Sequence, residues 1–315
     1  MTRPAKNTHR LAALTGAAAS LALLAFAGSA RAASDVTVDD TQVYPESISV
    51  TADGAVILGS ANKPVIYRSA PGATKAEPWI HLKDGVTTLG ILADSKSNTL
   101  YACQIEPVPG TPPGRKSTLL TFDLKSGAPK NSYPLAGDTN LCNDVVVGAG
   151  GVAYISDTTN GEILRLKPGG ALEVWAKDPA LAGIDGVTIV KGVVYANSVT
   201  QSTILRVPTN ADGSAGKPTL IALSQPVTRP DGMRALGGRL FVAENGAGKV
   251  SELKLEAGDK ATVVVIKDGF NTPTAVEPVG DTLWVGEAKF PFLRDPKLKG
   301  QDPGPFKAYA LPLPK

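Results

Sequence analysis

From about residue 40 onward, apolar and polar positions alternate in short runs cut by Gly, Pro, Asp and Asn, and no stretch keeps a helical period. The runs recur in a fixed order: a short apolar run, a turn pair, then a stronger strand with a large side chain at a set place. The stronger strands read AVILGS, TLYACQ, VAYISD, VVYANS, RLFVAE and TLWVGE. Their marker residues Ile57, Tyr101, Tyr154, Tyr195, Phe241 and Trp284 are 44, 53, 41, 46 and 43 residues apart. Five of the six are aromatic in a chain only 5% aromatic, so the spacing reflects a repeat. A third strand follows each marker strand (VIYRSAPG, LLTFDLKSG, EILRLKPGG, TILRVP, KVSELKLEAG, FKAYALPL), and a fourth, such as PTLIALS or TVVVIK, leads into the next unit.

A unit of about 45 residues and four strands is a propeller blade. The pattern predicts an all-β fold, a six-bladed β-propeller with four-stranded blades in a single domain over 33–315. The sixth unit has no fourth strand before the chain ends. The segment SDVTVDDTQVYPES has the same order of strand, loop, Pro and acid as TLIALSQPVTRPDG. Residues about 35–40 are therefore expected to be the outer strand of the last blade, closing the ring and covering an otherwise open edge.

The first 32 residues read differently. A basic start, MTRPAKNTHR, an apolar stretch, LAALTGAAASLALLAFAG, and a small-residue site, ARA, make a cleaved secretory signal peptide ending at Ala32. This predicts export to a periplasm or the medium and no membrane attachment after cleavage. It also changes the charge picture. The chain has 32 Lys and Arg against 29 Asp and Glu; Arg3, Lys6, Arg10 and Arg31 all lie in the leader, which leaves 28 against 29. Nothing basic remains to recruit nucleic acid. A protein partner is neither indicated nor excluded. Cys103 and Cys142 sit at strand ends expected on one face of neighbouring blades, and export favours oxidation, so a disulfide is expected.

Counting back 10 or 11 residues from the markers reaches Glu46, Asn143, Asp185, Asp231 and Thr274; the second unit breaks the series with Leu89-Gly90. The position recurs at the start of each innermost strand, where blades converge on the channel. Single Asp and Asn residues before Gly are ordinary turn formers, but Glu46 has no Gly beside it and the register is shared. Three carboxylates in one small volume repel unless a cation joins them. With oxygen ligands and no His or Cys, one divalent ion is expected on Glu46, Asn143, Asp185 and Asp231: Ca²⁺ first, with Mg²⁺, Mn²⁺ or Zn²⁺ as alternatives.

The segments YPESISVTADG, NDVVVGAGGVAYISD and RPDGMRALGGRLFVA resemble parts of the regucalcin/gluconolactonase (senescence marker protein) propellers of the lactonase and paraoxonase superfamily. The resemblance spans most of 40–290 and is most specific at PDGM. It implies one channel cation, held at Glu46, Asn143 and Asp231, and hydrolysis of a lactone or other ester with Asp231 activating water. Asp185 stands where that family usually has Asn, and is both a fourth ligand and a rival base. The His pair of the paraoxonase branch has no counterpart, because His81 falls in an outer strand.

Two long insertions, 104–116 and 288–305, follow second strands on the channel-acid face and are expected to shape a substrate pocket. Arg115, Phe290 and Arg294, with Thr274 from the channel, are the candidate pocket residues for a small lactone or ester. The competing expectation is a non-catalytic Ca²⁺-binding propeller that serves as a platform for a ligand or protein. A quinoprotein dehydrogenase is disfavoured by the lack of a His base, and sialidase-type Asp boxes are absent.

Overall fold

A computed structural model of the chain describes residues 1–2, 4, 33–108, 114–298 and 300–314. The expected leader lies outside the described residues apart from Met1, Thr2 and Pro4, and so do residues 109–113 of the first insertion.

The unit Ala32–Lys315 is all-β and is built of antiparallel, mostly four-stranded sheets, a β-propeller. Its innermost strands are Ile48–Val50, Thr87–Asp94, Cys142–Val147, Ile184–Val190, Pro230–Leu236 and Pro273–Val279. Each packs against the next in chain order, and the last packs against the first. Core clusters fill the spaces between neighbouring sheets. Leu119, Val145 and Ile155 join one pair, for example, and Phe241, Val276 and Leu283 another. Strands alternate because each presents one side chain in two to such a cluster.

The marker residues keep one register throughout. Tyr101 pairs with Leu92, Tyr154 with Val146, Tyr195 with Thr188, Phe241 with Arg234 and Trp284 with Glu277. Five innermost strands carry a register shift near their start, between Thr88 and Ile91, Cys142 and Val145, Ile184 and Val187, Pro230 and Met233, and Pro273 and Ala275. Such a bulge re-aims the side chain at that point, here toward the channel. The glycines beside it are there for clearance, which turn chemistry alone did not suggest. A Cβ on Gly186 would stand 2.5 Å from the Asp231 carbonyl oxygen, and one on Gly232 would stand 2.6 Å from that of Thr274. Asp185-Gly186 and Asp231-Gly232 thus lie within strands pressed against the next inner strand, and are not turns.

Val36–Val38 pairs antiparallel with Lys307–Pro312, as the ring-closure argument expects. It also pairs in parallel with Lys75–His81, so one eight-stranded sheet runs across both. A second departure is PTLIALS, read as one outer strand. It divides into Thr219–Leu220, paired to Thr203–Val207, and Ala222–Leu223, paired in parallel to Lys260–Lys267. Buried Ile221 sits at the division and anchors the crossing.

Candidate functional site

Glu46, Asn143, Asp185 and Asp231 are all buried and line one cavity of about 10 Å³, whose wall also includes Asp144, Arg234, Thr274, Gly90 and Gly232. That volume suits a single water-sized particle. Glu46 ends a loop held by left-handed residues, Gln42 (φ 54°) and Tyr44 (φ 48°), which turn it into the channel. Asn143 Nδ2 donates to Asp185 Oδ2 (2.8 Å) and to Thr158 Oγ1 (3.0 Å). Asp231 accepts from Asn245 Nδ2 (2.9 Å) and from the Gly232 N–H (3.0 Å). Thr274 Oγ1 donates to the Pro45 carbonyl (3.1 Å) and so braces the Glu46 loop.

The pocket is electrostatically tense. Burial first, then repulsion from Asp185 and Asp144, pushes the Glu46 carboxyl well above the usual range. Burial and the charges of Asp231 and Asp144 do the same to Asp185, against the Asn143 hydrogen bond. Asp231 is raised by burial and by Glu46, with the Asn245 hydrogen bond opposing. A hard cation would relieve all three, and the donor set is entirely oxygen. Among the described residues, no three His, Cys, Asp or Glu side chains stand in metal-holding geometry as placed. The Asn143 and Asn245 amide nitrogens, which are donors, point at the carboxylates instead.

The same cavity is lined by a charged group that sequence reasoning missed. Arg234 is buried and clasps Asp144 through Nη1 (2.7 Å) and Nη2 (2.8 Å), and its Nε lies 3.4 Å from Glu277. Asp144 Oδ2 also accepts from the Val187 N–H (3.0 Å), which ties three inner strands together. Burial, partly offset by Arg234, raises Glu277 to about 7. A signal was present: Arg234 and Glu277 each follow a site residue by three and sit opposite a marker, as charges in largely apolar strands.

A cleft of about 350 Å³ is lined by Leu89, Ile105, Arg115, Leu293 and Arg294, so both insertions contribute to it. Arg294 belongs to the short helix Pro291–Arg294, and its guanidinium lies 3.9 Å from the centre of the Phe290 ring. Phe290 itself is buried in the core with Tyr44 and Phe306, and Thr274 walls the small cavity; neither lines this cleft. An aromatic residue in a long insertion reads as a lid, but here it anchors one. Cys103 and Cys142 form a disulfide with Cα atoms 5.3 Å apart, directly beside Asn143. His81 ends an outer strand and is exposed.

No family model matches the sequence, and no curated protein matches it. Solved structures do match in shape. A protein assigned as a gluconolactonase superposes with a TM-score of 0.62 at 17% identity, over 89% of this chain and 93% of its own. The major allergen Mala s 1 of Malassezia sympodialis gives 0.70 at 14% identity, over 88% and 95%. Virginiamycin B lyase from Staphylococcus aureus, solved with quinupristin, gives 0.59 at 15% identity, over 88% and 98%. At such identities the likeness establishes a shared fold, the β-propeller, and nothing finer.

Proposed function

We propose that the chain is a six-bladed propeller hydrolase of lactones or related cyclic esters, related to the regucalcin/gluconolactonase group. In this reading it is exported by its N-terminal leader and matures as one domain over 33–315. The observation that carries the proposal is the convergence of Glu46, Asn143, Asp185 and Asp231 on one buried cavity beside an open cleft. These four residues would hold a divalent cation, Ca²⁺ first, with the Asn143 amide turned so that Oδ1 faces the cavity. When bound, the ion supplies Lewis-acid polarisation of the ester carbonyl.

The protein groups do the rest. Asp231 is the general base; its carboxylate is kept in place by Asn245 and Gly232 and takes a proton from water as the water oxygen adds to the carbonyl carbon. The ring C–O bond then breaks, and its oxygen leaves as a hydroxyl after regaining that proton, giving a hydroxy acid. Asp185, fixed by Asn143, is the rival base. Asp144, clasped by Arg234, fastens the Asn143 backbone to the next strand.

The second reading, a non-catalytic Ca²⁺-binding platform, is favoured by Asp185: a third carboxylate strengthens cation binding while weakening the ion as a Lewis acid. Calorimetry after chelation tests the site. One high-affinity Ca²⁺ site is expected, weakened at least 10-fold in Glu46→Gln; equal binding would move the site elsewhere. A lactone and ester panel with and without Ca²⁺, using Asp231→Ala as control, separates the readings. Turnover that needs both Ca²⁺ and Asp231 supports the hydrolase, and Ca²⁺ binding with no turnover on any substrate supports the platform.

A further inference from the structure

Beyond the leader the chain has eight arginines, and most are satisfied. Arg165, Arg206, Arg234 and Arg239 each pair with a carboxylate, and Arg68 donates to the Leu124 carbonyl. Among the described residues, Arg115, Arg229 and Arg294 make no ion pair and no side-chain hydrogen bond, and all three are exposed. Arg115 and Arg294 line one cleft, and Arg229 immediately precedes the strand Pro230–Leu236 that carries Asp231. Desolvation, with the like charges of Arg115 and Arg229, lowers the Arg294 pKa, while Glu46 and Asp231 act the other way.

Glu46 and Asp231 offset that repulsion but form no ion pair with Arg294, so the guanidinium donors of Arg115 and Arg294 are left for a ligand. The Phe290 ring lies against the Arg294 guanidinium, and the fork of a guanidinium suits two oxygens of one anion. Leu89, Ile105 and Leu293 give the same cleft an apolar wall. Its volume, about 350 Å³, is that of a small-molecule site.

We propose that Arg115 and Arg294 recognise an anionic group, carboxylate or phosphate, carried by the substrate beside its ester bond. This rests on the hydrolase reading and narrows it: the preferred substrates are acidic lactones or esters, whose ring lies on the apolar wall with its carbonyl toward the buried acids.

The test compares two lactones with the same ring, γ-butyrolactone and 5-oxotetrahydrofuran-2-carboxylate. The expected result is a higher kcat/KM for the carboxylate, with the ratio falling about 10- to 100-fold in Arg294→Met, chiefly through KM. Arg294→Lys, which keeps the charge and loses the fork, should fall between. Equal kcat/KM for the two lactones, or an unchanged ratio in Arg294→Met, overturns the proposal. Calorimetry with 2-hydroxyglutarate, the product of the acidic lactone, and separately with inorganic phosphate, reads the site without turnover. Binding of either anion that weakens in Arg294→Met keeps the site even where the hydrolase reading falls, and shows which anion is preferred. Binding of neither overturns it.

Discussion

At the scale of single residues, two sets of polar side chains line the channel cavity and only one was visible in the sequence. Glu46, Asn143, Asp185 and Asp231 could be found by counting from the markers because the paired strands keep one register and a bulge recurs at one place. The other set is a long-range contact: Asp144 and Arg234 are 90 residues apart and meet only because their inner strands neighbour through the one between. Phe290 was misplaced for the same reason, since its packing with Tyr44 and Phe306 joins distant segments. The Arg234 contacts yield a prediction. Arg234→Met leaves Asp144 and Glu277 buried with no cation, and breaking a buried pair in this way costs about 3–5 kcal/mol. Urea unfolding should show that loss. The triple variant Arg234→Met, Asp144→Asn, Glu277→Gln should recover part of it, because no bare charge is left. A single variant as stable as the parent would mean that the pair contributes nothing.

At the scale of elements, the strands and their order were legible from apolar alternation and turn residues, and the N-terminal strand was legible from the missing fourth strand of the last unit. The parallel pairings were not. Alternation reports which face a strand buries but not which edge a neighbour approaches, and it is edge-on that Val36–Val38 gains its second partner and Ala222–Leu223 joins the neighbouring sheet. The N-terminal strand is only three residues long, yet it donates on both sides: Thr37 N–H to the Thr74 carbonyl and Val38 N–H to that of Phe306, each at 2.9 Å. Thr37→Pro removes the first donor and puts a ring where a parallel neighbour packs. The expected result is a loss of a few kcal/mol in calorimetric stability. Size-exclusion chromatography should also show association through the freed edges. Thr37→Val, which keeps the donor, should match the parent; equal damage from both would trace the effect to the side chain.

At the scale of the whole molecule, the ring is fastened at two unlike places. Hydrogen bonds fasten it where Val36–Val38 meets Lys307–Pro312, and the Cys103–Cys142 disulfide joins the sheet holding Thr87–Asp94 to the sheet holding Cys142–Val147. The bond closes a loop across a sequence separation of 39, which includes the first insertion. Chain-entropy reasoning gives such a loop about 4 kcal/mol, acting on the unfolded state. Both cysteines are fully buried, so the Cys103→Ala, Cys142→Ala variant also loses close packing. Cys142 is bonded directly to Asn143, so the bridge should act on the candidate site as well as on the unfolded chain. With the proposed Ca²⁺ site filled, the variant is therefore expected to lose more stability than after chelation, because a ligand that binds the folded state adds stability in proportion to the logarithm of its affinity. Guanidinium unfolding of parent and variant, each with and without Ca²⁺, measures the difference. Equal losses in the two conditions would confine the disulfide to the unfolded state and leave Asn143 positioned by its strand alone.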